Sequence, residues 1–229
     1  MARIILIETA SAMLSTAIVE DGGILCCKES EEPRMQASLT APFIKEMLDE
    51  AGLKVKDCDA VCVSKGPGSY TGLRVGVSTA KGLAFGAGIP LIGIGTLDIL
   101  AREGLDNGAA DGCRFIVPLI DARRMEVYTA VYDAQARRIG EIAPRIIDAN
   151  SFVDEIGSAP VLYVGDAADK CREPLSREGA RFFQTYPSAA AMAPLAMEAW
   201  ENKRFEDLAY FEPFYLKDFI ATVSRKNLF

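Results

Sequence analysis

The sequence contains no histidine among its 229 residues. That absence excludes Ser-His-Asp and Cys-His nucleophilic catalysis, histidine-ligated zinc and every imidazole general base. Also missing is any C-x-x-C pair, because the six cysteines stand at 26, 27, 58, 62, 113 and 171. A thiolate site drawn from Cys26, Cys27, Cys58 and Cys62 would use adjacent cysteines that point to opposite faces of a strand. Reduced, mostly buried thiols are expected instead. No long apolar run occurs either. The most apolar stretch, 84–101, is interrupted by Gly86, Gly88, Pro90, Gly93, Gly95 and Asp98, which argues against a membrane span. The opening MARIILIETA has too few apolar residues before Glu8 for a signal segment, so the expected location is the cytoplasm. Positive charge is in short supply: 25 Lys and Arg face 32 Asp and Glu, and the net charge of −7 disfavours loose attraction to RNA. The basic pairs Arg123–Arg124, Arg137–Arg138 and Arg225–Lys226 read as solvated turns and a polar tail.

What is present reads as a mixed α/β chain. RIILIE (3–8), STAIVE (15–20) and ILCCKE (24–29) are strands joined by turn residues such as Asp21-Gly22-Gly23. Leu39, Phe43, Ile44, Met47, Leu48 and Ala51 recur at helical spacing and Gly52 closes that helix. AVCVS (60–64) is a short buried strand, a long helix follows over 70–86, PLIGI (90–94) is another strand, and Thr96 is positioned to cap a short helix. The polar stretch GLDNGAADGC (104–113) is a linker. The second half then repeats the pattern with FIVPLID (115–121), EVYTAVYD (126–133), PRIID (144–148), a short helix from Asn150 or Ser151, VLYVGD (161–166), and a helix from Ser188 to about Lys203. A β-β-β-α-β-α unit written twice predicts two α/β lobes of related topology.

The most distinctive stretch, VSKGPGSYTGLRVGVSTAKGLAFG (63–86), leads from a strand through a glycine turn into a helix. It matches no Walker A spacing, because no Gly-Lys-Ser/Thr follows Gly66 or Gly68. The dinucleotide fingerprint fails as well: Gly72 falls one residue late, and no acid ends the following strand. The kinase loop lacks its partner motifs. A generic anion site over 69–72 stays open, with Gly66, Gly68 and Ser69 as its contacts. The competing reading is a tight turn capped by Ser69. Gly72, Gly76, Ala80 and Ala84 recur every four residues, and each helical glycine costs about 1 kcal/mol relative to alanine. That composition is expected to permit close helix-to-helix approach, with another chain as one neighbour. The remaining chemistry candidates are the strand-end acids Glu8, Asp121 and Asp166. Together they could hold Mg²⁺ and a phosphate in a cleft; singly they are ordinary turn residues.

Taken together, GPGSYTGLRVGVSTAKGLAFG, IDARRMEVYTAVYD, EPFYLKDFIATVSRK and ILIETASAMLSTAIVEDGG resemble, in order and over nearly the whole chain, the TsaB (YeaZ) family of bacterial tRNA threonylcarbamoyladenosine biosynthesis proteins. The resemblance implies two RNase H-like lobes of the actin, Hsp70 and sugar-kinase type. Residues 1–103 would form the first lobe and 104–207 the second, with 208–229 packing back on the first. It implies a non-catalytic partner of a TsaD paralogue, with a TsaE-type ATPase in the larger complex. Homodimers are expected when the chain is alone, and tRNA contact mainly through the complex. No cofactor or metal of its own is implied, ATP and metal being expected on the partner subunits. The implied interface comprises helices about 38–51 and 70–86: Leu39, Phe43 and Met47 from one, and Gly72, Leu73, Arg74, Gly76, Val77, Ala80, Lys81 and Ala84 from the other. The chain departs from the family pattern in carrying Glu8 where Asp is usual and Gln36 where His is often found. An ATP-dependent sugar or acyl kinase of the same fold is the alternative that the three acids suggest. A metallopeptidase would require the histidines that are absent.

Overall fold

The computed structural model of the chain describes residues 2–32 and 34–217. Its first sheet is built from β1 (Arg3–Glu8), β2 (Leu14–Glu20), β3 (Gly23–Ser30), β4 (Ala60–Gly66) and β5 (Leu91–Gly95). The strands lie in the order β3-β2-β1-β4-β5, with β1–β2 and β2–β3 antiparallel and the other pairs parallel. The alternating Ile and Leu of β1 serve both faces, which is why RIILIE is apolar throughout. On one face lie α1 (Gln36–Glu50) and α2 (Tyr70–Ala87), packed through Ile44, Met47, Val77, Ala80 and Ala84 onto Ile5, Ile7, Val61 and Val63.

The second sheet holds β6 (Phe115–Asp121), β7 (Glu126–Thr129), β9 (Ala143–Ile146), β10 (Val161–Gly165) and β11 (Ala180–Gln184), with the short β8 (Tyr132–Asp133) paired to β6. Its order, β9-β7-β6-β10-β11, repeats the order of the first sheet, so the duplication inferred from pattern extends to topology. These are two RNase H-like lobes. The expected strand 126–133 is interrupted. The amides of Ile139 and Gly140 both donate to Val131 O, at 2.9 and 3.1 Å, and pull that residue out of the ladder. Strand β11 carries no clear alternation and only its parallel partner β10, distant in sequence, defines it. Helices α4 (Val153–Ile156) and α5 (Arg172–Leu175) are single turns.

Two segments cross the expected boundary at 104–207. Helix α3 (Thr96–Asp106) sends Ile99 toward the first core and Leu97, Leu100 and Ala101 into the second, against Ile116, Ile120 and Leu162. Helix α6 (Ala189–Glu201), capped by Ser188 Oγ accepting from Ala191 N at 3.1 Å, lies on the first sheet, although its place in the sequence falls within the expected second lobe. Its run of alanines lets the helix approach Ile4, Leu6, Ala17 and Ile92 closely. Residues 208–217 also return to the first lobe, with Phe211 buried among the α1 and α2 side chains. Positions 218–229, including Arg225–Lys226, lie outside the described residues.

Candidate functional sites around the glycine loop and the interlobe cleft

The glycine loop is a packing device. A Cβ at Gly66, whose φ is +111°, would stand 2.6 Å from Phe214 O, and one at Gly68 would collide with Ala10 O. Ser69 N donates to Ala10 O at 2.7 Å, and Ser69 Oγ caps α2 by accepting from Gly72 N at 3.2 Å. The loop therefore spends its closest contacts on the chain's own β1–β2 turn and C-terminal segment rather than on an open anion cradle.

The small-residue stripe faces inward. Gly72 and Gly76 lie against Thr9, whose hydroxyl donates to Gly72 O at 2.8 Å; Val63 also flanks Gly76. Gly72, Leu73, Gly76, Val77, Ala80 and Ala84 are all buried within this chain, as is Met47 on α1. These expected interface residues are thus covered within the chain itself, and the glycines' close neighbours are Thr9, just past β1, and Val63 of β4. Lys81 is likewise engaged internally, donating to Ala209 O at 3.2 Å and Phe211 O at 2.9 Å. Of the expected interface, Arg74 is exposed with its guanidinium 4.5 Å from the Tyr70 ring centroid, while Leu39 and Phe43 are half-buried. Sequence reasoning passed over the outward side of α2: Ser78, Gly82, Phe85 and Gly86. Phe85 is 81% exposed, and a Cβ at Gly82 or Gly86 would meet nothing within 4 Å. The available signal was a pair of glycines that no inward contact requires.

The three strand-end acids do not assemble. Glu8 is fully buried; Oε1 accepts from Ala10 N at 2.6 Å, whereas Oε2 and the neighbouring Ser64 hydroxyl lack a well-formed hydrogen bond. Burial pushes its carboxyl up to about 8, against the opposing pull of the Ala10 amide. Asp121 accepts from Arg123 N at 2.7 Å and forms an ion pair with Lys170, which also donates to Arg124 O and Glu126 O at 2.9 Å. Asp166 Oδ1 accepts from Asp121 N at 2.8 Å, and burial raises that carboxyl to about 6. Among the described residues no group of three or more His, Cys, Asp or Glu is placed to hold a metal ion. The kinase-like arrangement of Glu8, Asp121 and Asp166 is therefore not formed: Glu8 lies inside the first lobe, and Asp121 is matched by a lysine. The cysteines are free thiols, four of them buried, Cys26 half-buried and Cys27 exposed.

Between the lobes lies a cavity of about 840 Å³. Asp121, Arg123, Tyr128 and Asp166 line it from the second lobe, and Arg34, Gln36, Gly68, Ser69 and Tyr70 from the first. Phe214, Tyr215 and Lys217 form a third wall, with the Tyr215 and Tyr70 ring centroids 4.8 Å apart.

Comparison with known proteins decides the kinship. Residues 33–223 match the family profile described as TsaD, tRNA N6-adenosine threonylcarbamoyltransferase. The tRNA threonylcarbamoyladenosine biosynthesis protein TsaB of Escherichia coli K12 is 28% identical over 96% of both chains. TsaB of Bacillus subtilis 168 is 30% identical over 71% of this chain and 70% of its own. The chain belongs to the TsaB (YeaZ) family. The solved structure of YeaZ from Pseudomonas aeruginosa superimposes with a TM-score of 0.82 at 26% identity, covering 94% of this chain and all of that one. Against this TsaB background, Glu8 and Gln36 keep structural positions: Gln36 Nε2 donates to Ser11 O and Ala12 O at 3.1 and 3.0 Å.

Proposed function

We propose that this chain is a non-catalytic subunit in the formation of N6-threonylcarbamoyladenosine at position 37 of tRNAs that read codons beginning with A. It acts in the cytoplasm by binding a TsaD-type paralogue. The observation that carries the reading is the near full-length match to proteins named for tRNA threonylcarbamoyladenosine biosynthesis. The unassembled acids support it: Asp121 is already matched by Lys170, and Glu8 is enclosed in the first lobe. Catalysis, metal and ATP belong on this reading to the TsaD paralogue and a TsaE-type ATPase. The docking face is the outward side of α1 and α2, where Leu39, Phe43, Arg74, Ser78, Gly82 and Phe85 retain accessible surface. Exposed helical glycines are costly in isolation. Gly82 and Gly86 beside an exposed phenylalanine leave room for a partner helix to approach closely. The same face would join two copies when the paralogue is absent.

The test is capture of the chain by its tagged TsaD paralogue from a co-expressing cell. Phe85→Asp and Gly82→Glu lie on the surface, so neither is expected to lower the melting temperature appreciably, and Gly82→Glu should raise it slightly. Each should weaken association at least tenfold, equivalent to about 1.4 kcal/mol. Undiminished capture of both variants would move the interface elsewhere. Failure of the unmodified chain to bind the paralogue would remove the subunit reading itself.

A further inference from the structure

Arg34 precedes α1 in the first lobe, and Arg123 sits in the β6–β7 turn of the second; both line the interlobe cavity. Their side chains are exposed, and neither guanidinium has a hydrogen bond or ion pair among the described residues. In this acidic chain Arg102, Arg137, Arg145, Arg172 and Arg204 each pair with a carboxylate. Both cleft arginines also occupy left-handed backbone, with φ of +67° and +72°, a conformation that a long L side chain seldom adopts. Such strained residues concentrate at ligand clamps. The pair Arg123–Arg124 is a solvated turn, as the sequence suggests, and only the fold brings Arg123 to the same cavity as Arg34.

We infer that the mouth of this cleft binds one nucleotide of a single-stranded RNA, with Arg34 and Arg123 on its phosphate from opposite lobes and tyrosine rings against its base. Tyr128 and Tyr215 supply the rings, Tyr215 being backed by Tyr70, and Lys217, which pairs with Glu126, adds a third cation to the lining. Base stacking on aromatic side chains with cations along the backbone is the general chemistry of single-strand recognition. The acids of the lining argue against a di- or triphosphate. Asp166 is among them, Asp121 is matched by Lys170, and no metal-holding cluster among the described residues would offset a polyphosphate. A single phosphate brings less negative charge against these acids. The inference uses the subunit reading only to choose RNA as the source of the nucleotide.

The experiment is a fluorescence-anisotropy titration of the whole chain, without its paralogue, using a fluorescein-labelled RNA hairpin with a single-stranded loop. The hairpin should bind more tightly than a fully paired duplex of the same length. Arg34→Gln and Arg123→Gln should each weaken binding about fivefold or more, and the double variant should reduce the slope of log K against log salt by about 0.7. Arg102→Gln, on α3 and outside the cavity lining, should bind as the parent does. Equal binding by both cleft variants, or by duplex and hairpin, would overturn the inference. Displacement of the hairpin by AMP at equal concentration would assign the site to free nucleotide and overturn the choice of RNA. Failure of the unmodified chain to bind the hairpin while it is still captured by the paralogue defeats this inference alone; hairpin binding without capture defeats only the subunit reading.

Discussion

Glu8 ends β1 with no accessible surface, one oxygen held by the Ala10 amide and the other in poor company. Its sequence context, an acid beside small residues at a strand end, reads singly as a turn residue and becomes a metal-ligand candidate only together with Asp121 and Asp166. Burial decides between them, because a carboxyl raised to about 8 is mostly protonated at neutral pH. A carboxyl raised in the folded state binds its proton more tightly there than in the unfolded chain. The stabilisation is complete below the unfolded value of about 4.3 and is lost as pH rises through about 8. Asp166, raised to about 6, acts in the same direction but finishes earlier. Urea unfolding between pH 6 and 8 should thus show stability falling by up to about 1.4 kcal/mol per pH unit. Glu8→Gln should flatten that slope. An unchanged slope in the variant would show that Glu8 is ionised inside the fold.

At the scale of elements, α2 shows both the reach and the limit of pattern. Its helical span, the Ser69 cap and the alignment of Gly72, Gly76, Ala80 and Ala84 on one side all follow from spacing. What lies against that side does not, because a nearby strand and a foreign helix both select small residues. Thr9 and Val63 fill the space, so the glycines of this helix divide into two classes. Gly72→Ala drives a methyl into Thr9 O, and overpacking of this kind costs about 1–3 kcal/mol. Gly82→Ala meets nothing and should stabilise the isolated chain by up to about 1 kcal/mol. Chemical denaturation of both variants checks the contrast, and stabilisation of both would mean that the Thr9 contact is not made. Substituting Leu at Gly76 or Ala80 would accordingly report on folding, not on partner binding.

Across the whole molecule, the lobes share their supports. Helix α3 contributes to both cores, α6 covers the first sheet after the chain has completed the second, and Phe211 plugs the opposite face of the first lobe. Ser15 Oγ accepts from Ala189 N at 2.8 Å, and Tyr132 Oη donates to Asp98 at 2.6 Å, so polar contacts join the same elements. A fragment ending at residue 107 keeps every strand of the first sheet but exposes Ile4, Leu6 and Ile92, which α6 normally covers. It should fail to give a cooperative melt by circular dichroism. A fragment that melts cooperatively would show that the first lobe is independent.

The strand-rich duplicated pattern, the family motifs, the absence of imidazole chemistry and the extent of α2 were all determined by the sequence, because they rest on residue type and near-neighbour spacing. Only the tertiary structure decided which side of α2 is free, that α6 belongs to the first sheet, that Lys170 neutralises Asp121, and that Arg34 and Arg123 meet at one cavity. Each of those facts joins residues far apart along the chain. Local periodicity carries no information about such pairs until the sheets bring them together.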